Sequence, residues 1–206
     1  MYFENFLDLI YDNNPSTTIN SALELLNFYS IIAQGFNEPF KEEHAIFFKE
    51  IIINLYKIKI ELEIYETQIL ILESLSNCTM IFLRKESSLA LLLLETLLNN
   101  WPIANYRKEI LFLQELSLVV EVVDLNDSFN NEERIVLLIT KLFKRLRKCI
   151  SIIETYFEMA YEAMTVIQSE GLLRLIKKNK KIAFQVLVPE ISYGKNFEYS
   201  RGEWAQ

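Results

Sequence analysis

Glycine and proline are scarce in this chain, with four residues of each among 206. Folds built from β-strands need many turn residues, so the scarcity of both argues against an all-β protein and favours long helices. Apolar residues make up 51% of the chain, which is enough for a sizeable core and argues against disorder. The length suits one domain or one elongated array.

Cysteine and histidine are scarcer still. Cys78 and Cys149 lie far apart, and neither belongs to a CxxC or Cys/His pattern, so we expect no zinc site and no disulfide framework. His44 is the only histidine, which excludes metal sites built on a histidine pair. The sequence also lacks a phosphate-binding loop, a dinucleotide fingerprint, HExxH, a nucleophile elbow and an EF-hand loop. We therefore expect no enzyme activity, no catalytic residue, no metal and no cofactor.

Positive charge is deficient, because the formal net charge is −7. The first 100 residues carry 14 acidic and 6 basic side chains, and the remainder carries 14 and 15. A non-specific nucleic-acid binder is normally basic, so we expect no nucleic-acid partner. The start, MYFENFLDLI, lacks the basic region of a signal peptide, and no charge-free apolar run reaches the roughly 18 residues of a membrane span, so we expect no membrane association.

Helical patterns recur along the chain with short links between them. Apolar periodicity predicts helices at 2–12, 18–34, 41–57, 63–83, 88–100, 106–123, 133–150, 154–169, 170–179 and 181–192. Ser16 or Thr17 is the predicted N-cap after a loop at 13–17, and Gly35 is a predicted C-terminal cap. Trp101-Pro102 stops the helix before it, because proline disfavours helical geometry in the preceding residue.

The predicted architecture follows from the spacing of these helices. Two successive helices with their links span roughly 40 residues, which is the period of HEAT-type repeats, whereas a compact helical bundle is the structural alternative. The number of helices and the nearly all-apolar segment 88–100 favour stacking. We predict an all-α fold, an α-solenoid of stacked antiparallel helix pairs (HEAT-like repeats). It forms one domain over 1–206, with a divergent N-terminal cap at 1–17 and a weakly patterned tail at 193–206.

One basic cluster stands out in the second half. In KLFKRLRK (141–148), the side chains Lys141, Lys144, Arg145 and Lys148 follow i, i+3, i+4, i+7 and share a helix face. A solvated face and a docking strip for an acidic protein surface are both open interpretations. The segment KKNKK (177–181) allows the same two interpretations.

Five stretches match a known family in order and approximate spacing. They are GFNEPFKEEHAIF (35–47), NNWP (99–102), KEILFLQELSLVVEVVD (108–124), LFKRLRKCIS (142–151) and FEMAYEAM (157–164). Through them the chain resembles the B-prime class of protein phosphatase 2A regulatory subunits, a HEAT-like α-solenoid family. The resemblance implies a non-catalytic protein that binds the scaffold and catalytic subunits of the phosphatase and selects phosphoprotein substrates. It also implies a cytoplasmic location, with the nucleus as a second location.

The resemblance also implies a groove for short linear motifs of substrate proteins, of the form LxxIxE. The positions that match this groove are Phe28, Ile32, Lys41 and His44. Phe28 and Ile32 would line an apolar pocket, while Lys41 and His44 would face acidic groups of the peptide. The chain departs from the family at Phe28, where the family has isoleucine. The alternative for His44 is a structural role at the start of a helix.

The same resemblance implies surfaces toward the partner subunits. The candidate docking residues are Trp101 and Pro102 in the turn at 101–107, and Lys141, Lys144, Arg145 and Lys148 on the basic helix. Family members are much longer, and this chain corresponds to their middle and later repeats. The competing functional interpretation is a generic α-solenoid protein-interaction adaptor that no longer binds the phosphatase.

Overall fold

The computed structural model describes residues 15–36, 39–57, 65–103, 105–123 and 132–187. The predicted helix at 2–12, most of the turn at 126–133, Pro189 and the tail at 193–206 lie outside these residues. Every regular element within them is helical. The α-helices are α1 (Pro15–Gln34), α2 (Glu42–Phe47), α3 (Ile53–Leu55), α4 (Tyr65–Lys85), α5 (Leu89–Asn99), α6 (Tyr106–Val122), α7 (Glu132–Ser151), α8 (Phe157–Gln168), α9 (Glu170–Lys178) and α10 (Lys180–Val186). The predicted all-α class is confirmed.

The chain divides into two compact units, Met1–Thr96 and Leu97–Gln206. Within the first unit, α1 packs along α4. Within the second, α6 packs along α8 and α7 packs along α10. In each case a helix packs on one that lies two or three helices further along the chain, as successive repeats of an α-solenoid do. Local packing in both units therefore agrees with the predicted α-solenoid class, while the single domain over 1–206 stays a prediction.

The start of α1 differs from the prediction. The helix begins at Pro15, so Ser16 and Thr17 lie in its first turn instead of at the N-cap. Proline suits this position because its fixed φ is helical and its missing N–H would have no partner in the first turn. The other end is as predicted, since the helix stops at Gln34, immediately before Gly35.

The predicted helix at 41–57 is one continuous helical segment interrupted by a π-helical turn at Phe48–Ile52, between α2 and α3. The extra residue of a π turn shifts the helix face by one position. Phe48, Ile51, Ile52 and Ile53 are consequently all buried around this turn. Apolar periodicity alone gave no signal for it.

Helix α5 is buried, as its nearly all-apolar sequence predicts. Six of its apolar side chains, including Leu93, Leu94 and Leu97, are in the core, and it ends just before Trp101-Pro102. Helix α6 buries a charged side chain, because Glu115 is only 5% exposed, whereas its neighbour Gln114 is exposed.

The contact between α9 and α6 is unusually close. Gly171, near the start of α9, lies against the backbone of Val120, near the end of α6. Its N–H donates to Glu121 Oε1 at 2.9 Å, and Arg174 donates to the Glu121 carbonyl oxygen at 2.7 Å. A glycine is required here because a Cβ atom would overlap the Val120 carbonyl group.

The described residues contain no helix that is long and apolar enough to cross a membrane.

Candidate peptide-binding and docking surfaces

His44 lies in an aromatic cluster at the turn that joins α1 to α2. Its ring stacks on Phe36 with the ring centroids 3.7 Å apart and the planes 4° from parallel. Phe40 also contacts the imidazole, with the ring centroids 5.2 Å apart and the planes at 71°. Phe36 in turn contacts the buried ring of Phe82 on α4. The only imidazole of the chain is therefore held in one orientation by packing.

The same histidine helps to cap the start of α2. Lys41 is the N-cap residue, and its backbone N–H donates to His44 Nδ1 at 3.3 Å. The arrangement is half of a capping box, in which the third helical residue accepts from the N-cap backbone. Because Nδ1 accepts this hydrogen bond, it carries no proton in this geometry, and the remaining N–H of the neutral ring is on Nε2. The structural role that was the alternative for His44 is therefore present.

Lys85 holds the turn between α1 and α2 through hydrogen bonds from the end of α4. At the end of α4, its ammonium donates to the carbonyl oxygens of Phe36 at 2.6 Å and Gln34 at 2.9 Å. These carbonyls belong to the last turn of α1 and the residues after it, which have no helical partner. A cation at a helix C-terminus also favours the helix dipole. The turn that carries His44 is thereby tied to the neighbouring helix pair.

The two apolar candidates lie on one face of α1. Phe28 and Ile32 are four residues apart, and Phe28 is 56% exposed while Ile32 is half-buried. Lys41 is exposed and His44 is half-buried at the start of α2. The motif comparison missed Ile31, which is 66% exposed and extends the apolar surface next to Phe28. Its position three residues after Phe28 on the same helix was the signal that could have found it.

Trp101 is not on the docking surface that the sequence suggested. The residue is 6% exposed, and its Nε1–H donates to Glu109 Oε2 at 2.7 Å inside the second unit. Its ring also packs edge-on against Phe112. Glu109 follows Trp101 by eight residues and lies in the first turn of α6. Its buried carboxylate accepts the indole N–H. Trp101 therefore organises the interior, and Pro102 beside it remains half-buried.

The basic residues of α7 have the predicted arrangement. Lys141, Lys144 and Lys148 are exposed, whereas Leu142, Phe143, Leu146, Cys149 and Ile150 face the core. Arg145 is half-buried, with its guanidinium carbon 5.3 Å from the centre of the Trp101 ring, a cation–π contact. Lys141 Nζ donates to Asn99 Oδ1 at 3.1 Å. Their role in docking stays a prediction.

Both cysteine thiols are buried and neutral. Burial raises the pKa of Cys78 to about 11. Burial, and next the carboxylate of Glu109, raise the pKa of Cys149 to about 12. The Cys149 thiol lies 4.0 Å from Glu109 Oε2 and donates to it. Thiolates are the reactive and metal-binding form of cysteine. Within the described part of the chain, no group of three His, Cys, Asp or Glu side chains could hold a metal ion.

These features define a helical-repeat protein of the α-solenoid class, with exposed apolar and charged surfaces on helices that pack in pairs. The family model described as protein phosphatase 2A regulatory B subunit (B56 family) matches residues 2–196. The chain belongs to this family, which confirms the resemblance to the B-prime class. The family is one of regulatory subunits, in agreement with the expectation that the chain is not an enzyme.

Relatives from distant organisms match the same region. The chain is 28% identical over 187 residues to the B′ kappa isoform of the protein phosphatase 2A 57 kDa regulatory subunit from Oryza sativa, covering 91% of this chain and 32% of the relative. It is 30% identical over 185 residues to the human 56 kDa regulatory subunit delta isoform, covering 90% and 27%. It is 31% identical over 186 residues to the 56 kDa regulatory subunit delta isoform from Saccharomyces cerevisiae, covering 90% of this chain and 22% of the relative. The chain thus spans a third or less of the length of these relatives.

Proposed function

We propose that this chain acts as a regulatory segment of protein phosphatase 2A, which binds the scaffold and catalytic subunits and selects phosphoprotein substrates through short linear motifs. The observation that carries the proposal is the turn between α1 and α2. A chain of the regulatory-subunit family has an exposed Lys41 and a packed His44 at the start of α2, and the helix before this turn carries the exposed apolar side chain of Phe28. Apolar anchors next to a cation and a polar ring suit an extended peptide with both apolar and acidic residues.

Assembly is the first test of the proposal. The tagged chain would be co-expressed with the scaffold and catalytic subunits of its own organism and purified through the tag. We expect a stable complex of three proteins that elutes together in size-exclusion chromatography. If the chain elutes alone while circular dichroism shows it to be helical, it is instead a generic α-solenoid adaptor.

Peptide capture is the second test, and it separates the two roles of His44. A fluorescent peptide with an LxxIxE sequence would be titrated with the wild type, His44→Ala and His44→Gln. Glutamine at this position can keep the capping hydrogen bond to the N-cap backbone, whereas alanine cannot. If the imidazole contacts the peptide, both variants bind more weakly. If only the cap matters, His44→Gln binds like the wild type and the peptide role is wrong.

The apolar contact is tested separately at Phe28. We expect Phe28→Ala to weaken peptide binding without loss of stability, because the side chain is mostly exposed. Leu118→Ala is the matched control, since Leu118 is also about half exposed but lies on α6 in the second unit, outside the proposed groove. The proposed cytoplasmic and nuclear locations are tested by imaging a fluorescent fusion in cells of the same organism.

A further inference from the structure

The exposed stripe of α7 combines one apolar side chain with three lysines. Leu137, Lys141, Lys144 and Lys148 follow i, i+4, i+7, i+11, so they lie in one row along the helix. All four are exposed, and Leu137 is 57% exposed. Between Arg134 and Ile153 the sequence contains no aspartate or glutamate. The row is therefore a positively charged surface with an apolar end.

In the part of the chain that the structure describes, the groups next to this row do not neutralise its positive charge. Lys141 donates to the neutral Asn99 amide oxygen, so this contact orders the lysine without cancelling its charge. Arg145, beside the row, is held over the Trp101 ring, and the Trp101 indole is itself held by Glu109. Among the residues that the structure describes, no carboxylate pairs with Lys144 or Lys148. A preorganised group loses less conformational entropy when it binds a partner.

The composition of the surface selects the kind of partner. A nucleic-acid backbone would meet the lysines, but it offers nothing to the exposed leucine. A long polyanion would also extend over a protein whose net charge is −7. An acidic protein segment supplies both parts, because an apolar side chain can cover Leu137 while carboxylates meet Lys141, Lys144 and Lys148.

The length of the row sets the length of the segment. Leu137 and Lys148 are about 16 Å apart along the axis, because an α-helix rises 1.5 Å per residue. An extended peptide advances about 3.3 Å per residue, so five or six residues would cover this distance. We propose that α7 binds an acidic protein segment in which one apolar residue is followed by two or three carboxylates within about six residues. The surface lies on the second unit and does not depend on the groove proposed at α1 and α2.

A fluorescein-labelled peptide LESESE tests the proposal by fluorescence anisotropy with the purified full chain. We expect saturable binding that weakens as the salt concentration rises. The variant Lys144→Glu/Lys148→Glu should weaken binding at least tenfold, and Leu137→Ser should weaken it severalfold. Lys177→Glu/Lys181→Glu is the matched control, because it changes the net charge equally at exposed positions of the same unit. It should bind like the wild type.

Three outcomes would overturn the proposal. One is an equal loss of binding in the matched control, which would mean a non-specific effect of net charge. Another is tighter binding of an oligothymidylate of the same charge than of LESESE. The last is an unchanged affinity when serine replaces the leucine of the peptide, which would remove the apolar contact. Circular dichroism of each variant, together with the salt dependence of the wild type, keeps a folding defect distinct from a loss of binding.

Discussion

Trp101 donates its indole N–H to Glu109 at 2.7 Å, and both side chains are buried in the second unit. A buried carboxylate is costly unless hydrogen bonds compensate it. The indole N–H and the Cys149 thiol both supply such compensation. The same indole ring carries Arg145 on its face. One buried hydrogen bond thus connects the core of this unit to its basic surface.

Removing that donor should destabilise the second unit. We expect Trp101→Phe to lower the free energy of unfolding by about 2 kcal/mol, because a hydrogen bond to a charged group is lost and the carboxylate stays buried. Urea unfolding followed by far-ultraviolet circular dichroism measures this change. The same substitution in a Glu109→Gln background is the control, and it should cost less because the charge is absent. Equal losses in both backgrounds would show that the charge of Glu109 does not strengthen the contribution of the indole N–H.

Gly171 should tolerate no larger side chain. A Cβ atom there would overlap the Val120 carbonyl group, and backbone cannot move aside as a flexible side chain can. We expect Gly171→Ala to lower the midpoint of thermal unfolding and to cost about 1–3 kcal/mol, in spite of the better helix propensity of alanine.

Gly35→Ala is the matched control for that substitution. A Cβ atom at Gly35 would make an ordinary contact with the Ile32 carbonyl oxygen at 3.4 Å. Its stability should stay within about 0.5 kcal/mol of the wild type, as for most surface substitutions. Similar effects of the two variants would contradict the close approach of α9 to α6.

The two buried thiols should make stability fall at alkaline pH. Their folded pKa values are about 11 for Cys78 and about 12 for Cys149, against 9.0 for an exposed thiol. Above pH 9 the unfolded chain loses thiol protons before the folded chain does, so unfolding becomes more favourable as the pH rises toward 11. Each thiol contributes a slope of up to about 1.4 kcal/mol per pH unit.

Urea unfolding between pH 8 and pH 11 measures this slope. The variant Cys78→Ala/Cys149→Ala isolates the thiols from lysine and tyrosine titration, and its stability should fall less steeply over the same range. As a second readout, an aromatic disulfide reagent at pH 7.5 should modify the thiols slowly in the folded protein and rapidly in urea. Rapid modification of the folded protein would show that the thiols are accessible.

Lys85 should control the order of the turn that carries His44. We expect Lys85→Met to remove two hydrogen bonds to the carbonyls of Gln34 and Phe36, and to accelerate amide hydrogen exchange at Gly35 and Phe36. Lys49→Met is the control, because Lys49 is an exposed lysine of the same unit. Unchanged exchange in Lys85→Met would mean that aromatic packing alone orders the turn.

The sequence determined the helices and most of their faces. A helix shows in the sequence as a local apolar period of 3.6 residues. The predicted ends of α4 to α7 therefore lie within about two residues of the observed ends. Their burial followed as well, most clearly for the apolar α5 and the amphipathic α7. The helix ends before Gly35 and before Trp101-Pro102 also lie where the sequence predicts them, and the proline acts locally because it disfavours helical geometry in the residue before it.

The tertiary structure decided which polar groups meet. Glu109 receives the indole of Trp101, and Lys85 reaches the carbonyl of Phe36 from 49 residues along the chain. Such partners are set by how helices pack, and no local period records them. For that reason the sequence places Trp101 among the docking candidates although its side chain is buried, and it predicts neither the aromatic stacking of His44 nor the requirement for Gly171.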